Sequence, residues 1–143
     1  VMRGYWDAPD LTERRFRTDP NTGTRLCYTN DLFRMDHDGY FYFVGRKDDI
    51  IKSRGEKVAP KEVESVLYGM SGVREVAVIG VPDPILGHAI KAFIVTDDTT
   101  ISERQIFAHC RSRLEDYMVP KIVEFCHELP KTATGKIKKS GLS

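Results

Sequence analysis

The sequence predicts an α+β fold: a small three-stranded sheet flanked by helices, preceded by β-hairpins left from the end of a larger N-terminal domain. Three observations predict it. Two stretches carry apolar residues at helical spacing, and several short runs are rich in β-formers. They follow one another in the order β, α, β, β, α, β. Breaks containing glycine, proline and aspartate separate them, and a basic tail, residues 131–143, closes the chain.

Residues 1–24 read as loop and turn, with Asp7-Ala-Pro-Asp10 and Asp19-Pro-Asn-Thr-Gly23 as breakers. Residues 26–32 and 40–44 are β-rich, and Asp36-His-Asp-Gly39 between them reads as a hairpin turn. Gly45-Arg-Lys-Asp-Asp49 is a charged break and the expected domain boundary. Residues 50–58 predict a second, short hairpin around Gly55. Pro60 then opens a helix, where a missing N–H costs nothing, and Val63, Val66, Leu67 and Met70 form one apolar stripe. Residues 73–81 and 89–96 are two strong strands joined by Pro82-Asp-Pro-Ile-Leu-Gly87. A second helix starts from a Ser102 N-cap, with Ile106, Cys110 and Leu114 as its stripe. Residues 121–126 are the third strand.

The bulk composition narrows the function classes. A chain of 143 residues suits one ordinary domain, or a small domain with a piece of another. Its 41% hydrophobic and 30% charged content is that of a soluble globular protein. A formal net charge of +1 argues against a dedicated nucleic-acid binder. Cys27, Cys110 and Cys126 are odd in number and widely spaced, which suits free thiols in a reducing, cytoplasmic setting. No apolar run is long enough to span a membrane, and Val1-Met-Arg-Gly-Tyr-Trp6 has no signal-peptide layout. With no initiator methionine at position 1, the chain is expected to be part of a longer protein.

Several generic motifs fail on inspection. Thr134-Gly135-Lys136 resembles the end of a phosphate-binding loop, but Pro130 and Ile137 stand where that loop needs a glycine and a hydroxyl. Asp36–Gly39 lacks the further ligands of a calcium loop. The four histidines have no metal-ligand spacing, so no metal site is expected. Four groups suited to a nucleotide remain. Asp31 ends the Tyr28-Thr-Asn-Asp run, where its carboxylate could accept from two ribose hydroxyls. Arg46 offers a planar, always-charged fork. Ser53-Arg-Gly-Glu-Lys57 is a glycine turn flanked by cations, and Lys136 follows Gly135 in a tail with four lysines and no acid.

In order, Tyr28–Leu32, Asp38–Glu64 and Pro130–Ile137 closely resemble the AMP-forming adenylate-ligase superfamily. It includes acyl-CoA synthetases, carrier-protein adenylation domains and luciferase. The resemblance covers the whole chain, including Gly4-Tyr-Trp6 and Val81-Pro-Asp-Pro-Ile-Leu-Gly87. It implies that residues 1–47 are the end of a large adenylate-forming domain and residues 48–143 the complete, mobile C-terminal domain. The implied reaction joins a carboxylic acid to AMP from ATP and Mg2+, releasing pyrophosphate, and then passes the acyl group to CoA. Asp31 falls on the ribose-binding aspartate, Arg46 on an arginine that also contacts the nucleotide sugar, and Asp48 on the hinge. Lys136 falls on the lysine that catalyses adenylation. Gly55 falls on the glycine past which the pantetheine arm runs, with Lys52 serving the second conformation and Lys57 a phosphate contact. The resemblance also implies a lysine acetyltransferase as a partner acting on Lys136.

Asn30 stands where the family usually has glycine, and Lys139 where it often has arginine. Asp48-Asp49-Ile-Ile-Lys-Ser-Arg-Gly-Glu-Lys-Val-Ala-Pro60 is more like acyl-CoA synthetases than carrier-protein adenylation domains. The remaining alternatives are such an adenylation domain, or a non-catalytic module that binds nucleotide, CoA or protein. No phosphate-gripping Gly/Ser-rich loop and no acyl pocket can be read, so these residues alone are expected to be inactive, and the identity of the acid is not legible.

Overall fold

Pro9 and Asp10 start the first element of the computed structural model, which describes residues 2–143. This is the two-turn helix α1 (Pro9–Arg15), followed by the antiparallel strands β1 (Phe16–Thr18) and β2 (Arg25–Cys27). The sequence predicts loop and turn over residues 1–24, and helix and strand replace it there. The reason is that α1 buries none of its residues, so no apolar stripe marks it. Val1, on which the reading of the N-terminus begins, lies outside the described residues.

The chain divides into two compact units, one running to Asp31 and one from Leu32 to Ser143. Strand β3 (Asp31–Met35) starts after a break, where the sequence predicts one run over residues 26–32. Asn30 makes the break by taking φ +63, a left-handed conformation that Asn tolerates. Strand β4 (Phe41–Arg46) pairs with β3 through the expected turn, in which the Asp36 carboxylate accepts the N–H groups of Asp38 at 3.0 Å and Tyr40 at 2.9 Å.

A single 3-10 turn (Lys47–Asp49) leads into the hairpin β5 (Ile51–Ser53) and β6 (Glu56–Val58). Helix α2 (Pro60–Tyr68) opens on Pro60, and β7 (Val73–Asp83) and β8 (Gly87–Thr96) follow as a long antiparallel pair. The Asp83 carboxylate stabilises their connection by accepting the N–H groups of Leu86 and Ile85, which hold its pKa below the usual carboxylate value. Helix α3 (Glu103–Arg111) begins after Ser102, whose backbone N–H donates to Gln105 Oε1 at 2.8 Å. Strand β9 (Ile122–Cys126) then pairs parallel to β8.

Strands β7, β8 and β9 form the predicted three-stranded sheet, and β5 joins it at one register point, Ser53 opposite Gly87. Alternation along the strands divides their side chains between two faces. Val76, Val78, Ile90, Ala92 and Ile94 meet Val63 and Leu67 of α2 and Ile106 and Cys110 of α3 in the larger core. Burial there pushes the Cys110 thiol up to about 11. Ala77, Phe93 and Val95 point the other way and form a smaller core with Leu129, against which Ile79, Ile137 and Leu142 pack. The helices thus cover one face, and the C-terminal tail covers the other.

Candidate functional site

The tail that carries Lys136 is a folded hairpin. Lys131 bridges Ile137 in antiparallel fashion, Thr132 N–H donates to the Lys136 carbonyl at 2.8 Å, and Lys138 N–H donates to the Pro130 carbonyl at 2.7 Å. Gly135 takes φ +79 in the turn and donates its N–H to the Thr132 carbonyl at 2.9 Å. A side chain at position 135 would meet no neighbour, so the backbone conformation is what requires glycine there. The Thr132 hydroxyl accepts from Lys136 N–H at 3.2 Å and stands 3.0 Å from the Thr134 hydroxyl. Local hydrogen bonds and the packing of Ile137 and Leu142 hold this hairpin on the sheet.

The tail lysines are not equivalent. Lys131 Nζ lies 2.5 Å from Glu75 Oε1, and Lys139 Nζ lies 2.7 Å from Glu64 Oε1. The sequence alone does not show that two glutamates more than fifty residues away face the tail. The Lys136 ammonium is exposed and has no ion pair or hydrogen bond among the described residues. Lys131 and Lys139 are therefore neutralised, whereas Lys136 and Lys138 are exposed with no ion pair among the described residues, and of these two only Lys136 sits in the glycine turn.

Gly55, Lys52 and Lys57 sit together in the β5–β6 hairpin, with Lys52 directly opposite Lys57. Like charges in that register repel unless an anion lies between or near them. Arg54 and Gly55 both take positive φ, +54 and +83, as the tight turn of a two-residue hairpin requires. Ile51 and Val58 anchor this hairpin in the helix-side core, whereas Ile137 and Leu142 anchor the Lys136 hairpin in the other. No hydrogen bond or ion pair links Lys136 with Lys52, Gly55 or Lys57 among the described residues.

Asp31, half-buried, starts β3, and its N–H donates to the Thr29 hydroxyl at 3.2 Å. Arg46 ends β4 and is exposed. Asp48 lies inside the 3-10 turn, which extended residues bound on both sides, Arg46 at φ −96, ψ 141 and Ile50 at φ −61, ψ 121. A single short turn between extended residues is a geometry in which few dihedrals reorient the chain.

Sequence reasoning missed one further feature. Arg54, Arg111 and Lys121, with Asp116, surround a cleft of about 420 Å3 walled by Phe107 and Pro120. Its cations come from three separate elements, so no local motif announces it. Its only sequence signal is a bulky arginine before Gly55, at a position that the turn forces to positive φ.

Among the described residues no group of three or more His, Cys, Asp or Glu could hold a metal ion. No helix of the described residues is long and apolar enough to cross a membrane.

Comparison with known proteins places this geometry. The family model for the AMP-binding enzyme C-terminal domain matches residues 62–136. A long-chain-fatty-acid–CoA ligase of Yersinia pestis is 42% identical over 142 residues, covering 99% of this chain and 24% of the ligase. The o-succinylbenzoate CoA synthetase of Bacillus subtilis, solved with its acyl-adenylate intermediate, superimposes with a TM-score of 0.88 at 32% identity, over 99% of this chain and 28% of that one. ATP-bound MatB from Rhodopseudomonas palustris superimposes with a TM-score of 0.83 at 37% identity, over 97% and 27%. The chain thus spans about a quarter of the length of the curated relatives it matches.

Proposed function

This chain belongs to the AMP-binding enzyme C-terminal domain family, and on that premise we propose that it is the mobile, lysine-bearing end of an AMP-forming acyl-CoA synthetase. Residues 48–143 are the rotating domain in this reading, and residues 1–47 close the large domain that precedes it. The observation that carries the reading is Lys136, exposed at a glycine turn, hydrogen-bonded through its backbone and without an ion-pair partner among the described residues.

In the first half-reaction a carboxylate oxygen attacks the α-phosphorus of ATP, the bond to the bridging oxygen breaks, and pyrophosphate leaves with the electron pair. The Lys136 ammonium sits between the attacking oxygen and the α-phosphate and stabilises negative charge where it gathers in the transition state. Asp31 accepts from the ribose hydroxyls and Arg46 donates to the nucleotide sugar. Mg2+ bound with ATP would neutralise charge on its phosphates, and among the described residues no group of three or more His, Cys, Asp or Glu could hold it. The dihedrals around Asp48 then swing the domain, withdrawing Lys136 and presenting Gly55.

In the second half-reaction the CoA thiol attacks the acyl carbonyl, the bond to AMP breaks, and the thiol proton is released. The pantetheine arm passes Gly55, where the absence of a side chain leaves room against the backbone. Lys52 serves this second conformation and Lys57 contacts phosphate. The separate anchoring of the two hairpins, in different faces of the sheet, supports alternate use of the domain. CoA rather than a carrier protein is the acceptor in this reading, in keeping with relatives named as CoA ligases. Three free cysteines, one of them deeply buried, support a cytoplasmic setting. Acetylation of Lys136 by an acetyltransferase would remove the charge on which the first step depends.

The test is to assay the full-length protein for acid-dependent AMP and acyl-CoA formation with a panel of carboxylic acids. AMP and thioester are expected together, whereas residues 1–143 alone should show no ATP–pyrophosphate exchange. Turnover by these residues alone, or no adenylate from the full-length protein with any acid, would count against the reading.

A second outcome follows from Gly55. Its φ of +83 is one that valine does not adopt without strain. Gly55→Val should lower thioester formation from supplied acyl-adenylate by about tenfold or more while pyrophosphate exchange stays near the parent rate, the strain alone costing about 1–2 kcal/mol. Equal loss in both half-reactions would remove Gly55 from the acceptor path.

A further inference from the structure

The two ion pairs that flank Lys136 are not ordinary surface contacts. Glu64 is only 7% exposed, on the inner side of α2. Its Oε1 accepts both Val78 N–H, at 3.0 Å, and Lys139 Nζ, at 2.7 Å. Strand β7 lies at the end of the strand order, so this N–H has no neighbouring strand to receive it. One buried carboxylate thereby joins the helix layer, the edge strand and the tail. A charge so buried is retained at a cost unless a cation answers it, and the cation comes from the tail.

Glu75 repeats the arrangement at the other end of the hairpin. Its Oε1 holds Lys131, while its Oε2 is buried with no hydrogen-bond partner among the described residues. Lys131 is thus the near counter-charge for a carboxylate that water does not reach at that oxygen. The two clamps grip the chain at positions 131 and 139, on either side of the Lys136 turn, and both are fastened to the β7 side of the sheet.

We propose that Glu64, acting through Lys139, is a positioning residue for Lys136, with Glu75 and Lys131 as the second clamp of the same hairpin. This rests on the reading of Lys136 as the adenylating lysine. Rotation of the domain then delivers the ammonium as part of a rigid body, because the hairpin cannot slide along the sheet while both clamps hold. Neither clamp has a hydrogen bond or ion pair to the Gly55 hairpin among the described residues: their partners are Val78, Lys131 and Lys139. The inferred role therefore belongs to one half-reaction only, which a purely structural role would not.

The experiment uses the full-length protein with Lys139→Met, Glu64→Gln, their double variant and Lys139→Arg. Glutamine keeps an oxygen for Val78 N–H and removes the charge; methionine keeps the lysine stem. Each single variant is expected to lower kcat for ATP–pyrophosphate exchange about tenfold with KM for ATP unchanged, as displacement of a catalytic group does. The double variant should fall no further, Lys139→Arg should recover most of the rate, and thioester formation from supplied acyl-adenylate should stay within about twofold. Additive losses, equal losses in both half-reactions, or unchanged exchange would each overturn the proposal. Should Glu64→Gln not fold, the contrast between Lys139→Met and Lys139→Arg decides it. Lys136→Ala run alongside separates the two readings: if it leaves exchange intact, the role of Lys136 fails and the positioning role falls with it, whereas its loss with normal Lys139→Met exchange overturns the positioning role alone.

Discussion

Lys136→Ala in the full-length protein should lower ATP–pyrophosphate exchange by roughly 10²–10³-fold, the scale on which single charge-stabilising donors act in a transition state. Thioester formation from supplied acyl-adenylate should be largely spared, because the hairpin that presents Gly55 is fixed by a different core. The substitution itself should cost little stability. Lys136 is exposed, its side chain touches no ion-pair partner among the described residues, and the turn is held by backbone and threonine groups that alanine leaves in place. A loss confined to the first half-reaction, with the melting temperature unchanged, is therefore the expected pattern. Unchanged exchange would remove Lys136 from the chemistry, and a matching loss in both half-reactions would point to a folding defect.

Ile94→Ala should have the largest effect on stability, about 2–5 kcal/mol, as large-to-small changes at buried sites do. Ile94 is fully buried in β8, opposite Val76 of β7 and Phe125 of β9. It belongs to the core that α2 and α3 cover, so truncation leaves a cavity between sheet and helices that neither layer closes alone. Urea unfolding should show a lower midpoint with an unchanged slope. A shift of less than about 1 kcal/mol would mean that the helices collapse onto the site, and that the core is less tightly fixed than its burial implies.

Where an element has a strong apolar period, it was legible. Pro60 with the Val63 and Leu67 stripe, Ser102 with Ile106 and Cys110, and the runs at 73–81, 89–96 and 121–126 all form elements near the expected bounds. Helix α1 was not, because its seven residues bury nothing and leave no periodic trace. The β5–β6 hairpin was legible from Gly55, but its place beside β8, at Ser53 opposite Gly87, was not. Register between distant strands has no local signature.

The candidate site divides in the same way. Lys136, Gly55, Asp31, Arg46 and Asp48 lie in contiguous motifs, and a contiguous motif survives in one dimension. The partners of Lys131 and Lys139 do not: Glu75 precedes the first by 56 residues and Glu64 the second by still more. The cleft between Arg54, Arg111 and Lys121 is scattered likewise.

The sequence by itself determined the elements that carry an apolar period, the family and the one lysine set beside a glycine in the tail, since backbone propensity and motif spacing act over a few residues. Only the tertiary structure decided that the tail is a hairpin held by two ion pairs, that Lys131 and Lys139 are neutralised while Lys136 is left outward, and that the Lys136 and Gly55 hairpins pack on different faces of one sheet. Those outcomes depend on which carboxylates and apolar faces are brought together when the sheet closes. Contacts across such distances arise only from packing.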